Sequence, residues 1–106
     1  MLSVSEAYKN HLDMIEKPIK EASVLMDKLK FKCEIYSLDS ESAYCEWHKD
    51  DIVVIVEHLY EDDCIHVTVN NVPFDLYEDE SLTEYLIDTI AIQVNAKYPE
   101  WLREDD

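Results

Sequence analysis

A chain of 106 residues with 25 acidic and nine basic side chains, a net charge of -16 and no glycine rules out several kinds of protein before any pattern is read. Without glycine it cannot build a Walker loop, a dinucleotide-binding turn or a nucleophile elbow, each of which needs backbone that approaches a phosphate closely or turns sharply. The charge opposes direct contact with DNA, RNA or an anionic membrane and favours a basic partner.

The length suits one domain over residues 1–106, with a core that needs neither disulfides nor metal. The amino-terminal residues include Glu6 and Asp13 and lack a basic segment followed by an apolar stretch. The longest apolar run is five residues, Ile52 to Val56, so a soluble cytoplasmic protein is expected. Cys33, Cys45 and Cys64 are an odd count at or beside apolar strand positions, which reads as buried free thiols in a reducing compartment. The charge is uneven: residues 1–32 hold five acids and six lysines, whereas residues 33–106 hold twenty acids against three bases. Almost the whole excess therefore belongs to the later two thirds of the chain.

The first helix opens at Ser3-Val4-Ser5-Glu6, which has capping-box spacing. Tyr8, Leu12, Ile15, Ile19, Ala22, Met26 and Leu29 then recur in alternating steps of four and three. The stripe keeps its phase across Pro18, which predicts one kinked helix rather than two. Such a stripe serves either a dimer seam or, more commonly for so short a repeat, packing on the protein's own sheet.

The strands follow as a meander whose registers are fixed by turn chemistry. A two-residue turn at Asp50-Asp51 pairs Trp47 with Val54, Cys45 with Val56 and Ala43 with His58. A turn at Glu61-Asp62 sets Ile65, Val67 and Val69 against His58, Val56 and Val54. An odd-length loop from Asp39 to Glu41 adds Phe31, Cys33 and Ile35 to the same face, and an Asn70-Asn71 turn adds Val72, Phe74 and Leu76 on an edge strand that tolerates Pro73. The last helix starts at Ser81, with Glu84 completing a second capping-box pattern. Leu82, Leu86, Ile87, Ile90, Ala91, Val94 and Tyr98 form its apolar side, and Pro99 ends it. The expected fold is α+β in two layers: an amino-terminal helix, an antiparallel meander of four or five strands, and a carboxy-terminal helix on the same sheet face.

The opposite sheet face then mixes tyrosines and aliphatics with carboxylates, as protein-binding surfaces do. One row across it is expected to hold Tyr36, Tyr44, Glu57, His66 and Asp75, with His66 between two carboxylates that favour its charged form. As a site of general acid catalysis the row has little support, because cross-strand charge pairs commonly only stabilise a sheet, and no catalytic residue or cofactor is assigned. Cys45-x-x-His48 and Cys64-x-His66 suggest zinc, but residues three apart in a strand face opposite sides, so four ligands cannot meet and no metal is assigned. Glu61-Asp62-Asp63 and Glu78-Asp79-Glu80 lack the glycine of an EF-hand loop and read as solvated charge.

Charge density is the most specific signal. A domain of this length has a radius of gyration of about 13 Å, and duplex DNA spanning its diameter carries about 20 phosphates, the same order as its acidic excess. The sequence therefore points to a non-enzymatic acidic interaction protein that blocks a basic, nucleic-acid-binding target by DNA-like charge, of the kind phages and other mobile elements use against CRISPR or restriction. The expected contact residues are Glu57, Tyr60, Glu61, Asp62, Asp63, Asp75, Tyr77, Glu78, Asp79, Glu80 and Glu84. The alternative is a small acidic chaperone or adaptor, dimeric through its first helix, that holds an unstructured client segment.

Overall fold

The computed structural model describes residues 3–62, 64–77 and 81–95. Helix α1 (Val4–Lys28) is followed by strands β1 (Lys32–Leu38), β2 (Ser42–Lys49), β3 (Ile52–Leu59), β4 (Cys64–Val69) and β5 (Val72–Tyr77), and by helix α2 (Leu82–Asn95). The strands form one antiparallel sheet in the order β1-β2-β3-β4-β5, so the fold is the expected α+β meander between two helices.

Helix α1 begins where the sequence says it should: the Ser3 hydroxyl accepts the Glu6 backbone N–H at 3.2 Å and donates to the Glu6 carboxylate at 3.0 Å. It runs unbroken through Pro18, which is buried. One turn earlier, the Ile15 carbonyl accepts a hydrogen bond from His58 Nδ1 on β3 at 2.9 Å, which ties the middle of the helix to the sheet. At the other end, Lys30 takes a left-handed conformation with φ 69°. Its N–H donates to the Asp27 carbonyl, and the Phe31 N–H donates to that of Met26 at 2.9 Å. This is the paired-bond stop that usually places glycine at the left-handed position, and Phe31 and Met26 meet in the core as that motif requires. Lys49 Nζ adds a bond to the Leu29 carbonyl at 2.7 Å.

A glycine-free chain has to place side-chain-bearing residues in this region, at an intrinsic cost of about 1–2 kcal/mol each. Lys30→Gly is expected to raise stability by about 0.5–1 kcal/mol after the entropy lost by a glycine on folding is offset, read as a higher urea midpoint at unchanged slope. An unchanged or lower midpoint would mean that the lysine side chain compensates its own strain.

The remaining left-handed residues, Asp50, Asn70 and Asn71, lie at the β2–β3 and β4–β5 turns. Both asparagines are left-handed, as a type I′ turn needs, and Asn70 also receives the Val53 N–H on its side-chain oxygen at 2.8 Å. At Asp50-Asp51 only the first residue is left-handed. The pairings follow: Trp47 faces Val54, Cys45 faces Val56, Val67 faces both Val56 and Phe74, and Val69 faces Val54 and Val72.

The first strand departs from the expected register. Cys33 pairs with Trp47, but Ile35, not Glu34, pairs with Glu46, so a bulge at Glu34 reverses the alternation beyond it. Ile35 leaves the helix-facing side and is exposed, whereas Leu38 joins the margin of the core. The row across the opposite face accordingly contains Ser37 opposite Tyr44 instead of Tyr36. The physical reason is the single inserted residue, which lets Cys33 and Leu38 both lie on the helix side although five positions separate them.

Helices and sheet close around Ile15, Ile19, Ala22, Met26, Trp47, Val54, Val56, Val67, Val69, Leu76, Leu82, Leu86 and Ile90, all buried. From Ile15 onward the α1 stripe is thus used within the chain, while Tyr8 near the helix start stays exposed. Helix α2 is capped by the Ser81 hydroxyl, which accepts the Glu84 N–H at 3.2 Å, and lies against α1 and the β5 edge, where Tyr85 stacks on Phe74 at 4.5 Å. Its apolar side is narrower than expected: Ile87 is exposed, because the layer beneath it has only the width of Leu82, Leu86 and Ile90. The side chains of Ala91 and Val94, together with Tyr98 and Pro99, lie outside the described residues. No described helix is long and apolar enough to cross a membrane.

Candidate functional site

Both helices pack on one sheet face, so the other face presents the alternate residues of each strand: Tyr44, Glu46 and His48 on β2, Val53, Ile55 and Glu57 on β3, Cys64, His66 and Thr68 on β4, all half-buried by their neighbours. Asp75 and Tyr77 extend it on β5 and are exposed. Val53 and Ile55 make a small apolar centre, and acidic and aromatic groups surround it.

Two polar networks occupy this face. Along β2, Tyr44 Oη donates to Glu46 Oε2 at 2.8 Å and His48 Nε2 contacts Glu46 Oε1 at 2.6 Å. The bond from His48, with that from Tyr44, holds the Glu46 carboxyl below the usual range. Burial, then the bond to Glu46 and the charges of Glu46 and Glu57, pushes the Tyr44 phenol up to about 12. Tyr44 therefore acts as a neutral donor.

The second network surrounds His66. Its Nδ1 lies 2.7 Å from Asp75 Oδ1 and its Nε2 lies 2.8 Å from Asp62 Oδ2. Two carboxylates do flank the ring, but the second is Asp62, at the β3–β4 turn, and not Glu57. Glu57 stands opposite His66 in register, yet the imidazole is turned toward the turn and β5. The i,i+4 spacing of Asp62 and His66 carries the turn carboxylate back over the start of β4.

Hydrogen bonds to the carboxylates of Asp62 and then Asp75 raise the His66 pKa above its ordinary value of 6.5. Since the folded chain holds this proton more tightly than the unfolded one, the interaction stabilises the fold fully below the ordinary value and is lost as pH rises through the folded pKa. In an NMR titration the His66 ring is expected to have a midpoint above that of a free histidine, and Asp62→Asn with Asp75→Asn is expected to return it. A wild-type midpoint at or below 6.5 would mean that the two carboxylates do not hold the ring.

Cys64 Sγ lies 3.9 Å from His66 Nε2, in reach of the same cluster. The other two thiols face the helix side, where Cys33 Sγ and Cys45 Sγ are 3.2 Å apart. Only Cys45 of the three is fully buried; Cys64 is half-buried and Cys33 is exposed, since β1 is an edge strand with a bulge beside that residue. Burial, with the bond to Cys33 next, pushes the Cys45 thiol up to about 12, so it is not an activated nucleophile.

The expected contact residues divide. Glu57, Asp62, Asp75 and Tyr77 gather on or beside the outer face, with Tyr60 and Glu61 at its β3–β4 end, all but Glu57 exposed. The Tyr60 ring meets the His11 ring of α1 at 4.5 Å, so this anchor also braces the turn. Glu84 sits on α2, in the layer behind the sheet, and does not share that face. Asp63, Glu78, Asp79 and Glu80 lie outside the described residues. Comparison with protein-family models, curated proteins and solved structures finds no match to this chain, so function rests on the physical chemistry of the surface.

Proposed function

We propose that the chain is a non-enzymatic interaction protein that occupies a basic, nucleic-acid-binding surface of another protein by presenting carboxylates where that surface expects phosphates. A role for phages or mobile elements against CRISPR or restriction systems is the biological setting such an activity suits. The observation that carries the reading is the placement of charge: no charged side chain is buried among the described residues, and Glu57, Glu61, Asp62 and Asp75 have no lysine or arginine partner there. A chain that needed Glu57 and Glu61 only for its own fold would pair them, as it pairs Asp62 and Asp75 with His66.

Shape supports the same reading. The molecule measures 51 × 24 × 23 Å with a radius of gyration of 14.9 Å, longer than a compact domain of this size. Duplex DNA of that length carries about 30 phosphates, of which a protein bound to one side meets a fraction. A net charge of -16 is of that order.

The reading is tested by capture from lysate at low and high salt, followed by competition with duplex DNA. Expected is a DNA- or RNA-binding protein that salt and duplex DNA both release. A partner with no affinity for nucleic acid, held equally at high salt, would overturn it and favour a chaperone-like contact through the apolar centre at Val53 and Ile55.

A further inference from the structure

The thiol and imidazole of β4 meet the carboxylate of β5 in an arrangement that charge mimicry does not need. Cys64 and His66 project from the same side of one strand, and Asp75 stands directly across from His66 on the next. One donor atom from each of the three lies within 4.8 Å of the others. Asp62 adds a fourth group, the second carboxylate, at 2.8 Å from His66 Nε2, the nitrogen nearest the thiol. We propose that Cys64, His66 and Asp62, with Asp75 holding the imidazole from its other nitrogen, form a binding site for a single divalent ion of the zinc class.

The donor types select the metal. One sulfur, one imidazole nitrogen and carboxylate oxygens suit Zn²⁺, Co²⁺ or Ni²⁺, whereas Ca²⁺ and Mg²⁺ want six or more oxygens and iron–sulfur clusters want more thiolates than this face provides. Distances fit with small movements. In a tetrahedral zinc site, bonds of about 2.3 Å to sulfur and about 2.05 Å to nitrogen and oxygen place sulfur about 3.6 Å and oxygen about 3.4 Å from the nitrogen. The corresponding separations around Nε2 are 3.9 Å for Cys64 Sγ and 2.8 Å for Asp62 Oδ2.

Asp75, bonded at 2.7 Å to the other nitrogen, can fix the ring through Nδ1–H while the metal takes Nε2, the carboxylate–histidine–metal arrangement of many zinc sites. An ion held there joins the β3–β4 turn to β4 and the β5 edge. It also places a positive charge in the middle of the acidic face.

The test is titration of the full chain, reduced and free of chelator, with Co²⁺ and then Zn²⁺. Expected is a near-ultraviolet thiolate-to-cobalt absorption that saturates at one equivalent and is displaced by zinc. The band is expected to vanish in Cys64→Ser, to require about tenfold or more cobalt in His66→Asn and in Asp75→Asn, and to persist in Cys33→Ser, each variant checked by circular dichroism. Because a variant can lose its fold, the wild-type chain supplies a second reading: zinc is expected to shift the His66 ring resonances and leave those of His11, His48 and His58 in place. No thiolate band in excess cobalt, a band that survives in Cys64→Ser or follows Cys33 instead, or zinc shifts away from His66, would overturn the proposal.

Discussion

Reversing Glu57, Glu61 and Asp75 together to lysine is expected to weaken binding to the captured basic partner by about a hundredfold or more. In a wet, screened interface each reversal costs about 1 kcal/mol in all, and three sum to about 3 kcal/mol, about two decades in affinity. Single reversals are expected to cost less than about tenfold, because a surface that acts by density has no indispensable member. The control is Glu84→Lys with Asp88→Lys on α2, which alters charge in the layer behind the sheet by the same amount as the Glu57→Lys and Glu61→Lys pair it is compared with. If the outer face carries the contact, the α2 pair weakens binding far less. Equal losses would mean that total charge, and not the face, is what the partner reads. Calorimetry or anisotropy with the purified partner measures each of these.

Trp47→Ala is expected to remove about 3–5 kcal/mol of stability, a large share of the roughly 5–15 kcal/mol that holds a small domain folded. Trp47 is among the largest of the fully buried side chains, 1% exposed, on a strand with neighbours on both sides and α1 over it. Truncation leaves a cavity bordered by a helix and a sheet, which close poorly over it. The net charge of -16 sharpens the effect, since self-repulsion already opposes compaction. Urea denaturation checks this, and a loss under 1 kcal/mol would mean that the core repacks around the gap.

Much of the fold was legible because two independent codes agree along most of the chain. Between β2 and β5, turn chemistry at Asp50-Asp51 and Asn70-Asn71 sets the same register as the alternation of Trp47, Val54, Val56, Val67 and Leu76, so neither has to be weighed against the other. Likewise Ser3 and Ser81 start their helices as their spacing with Glu6 and Glu84 predicts. Strand β1 was misread beyond Cys33 because its loop, Asp39 to Glu41, contains no turn pair that fixes register, and Ile35 is as good a core residue as Leu38 by type alone. The bulge at Glu34 is a tertiary choice, made by the need to bring Leu38 against the core.

The site was legible in part for a related reason. Strand alternation placed Cys64, His66 and Asp75 on one face, but a turn side chain obeys no alternation, so Asp62 could not be seen to reach His66. In sequence, the two Cys/His pairs offer four zinc ligands, but Cys45 and His48 lie on opposite faces of their strand. The structure joins only one of those pairs, and adds carboxylates from the next strand and the turn. The 3.2 Å approach of Cys33 and Cys45 was hidden too, since it depends on the stretch of β1 beside the bulge.

The most direct measurement is a competition in solution: labelled duplex DNA bound to the purified partner, titrated with this protein, with fluorescence anisotropy as the readout at about 50 mM and about 500 mM salt. The account expects complete displacement of DNA at low salt, with an inhibition midpoint that rises at least about a hundredfold at high salt and is lost in the Glu57, Glu61 and Asp75 triple reversal. A ternary complex in which DNA stays bound, or displacement indifferent to both salt and reversal, would contradict it.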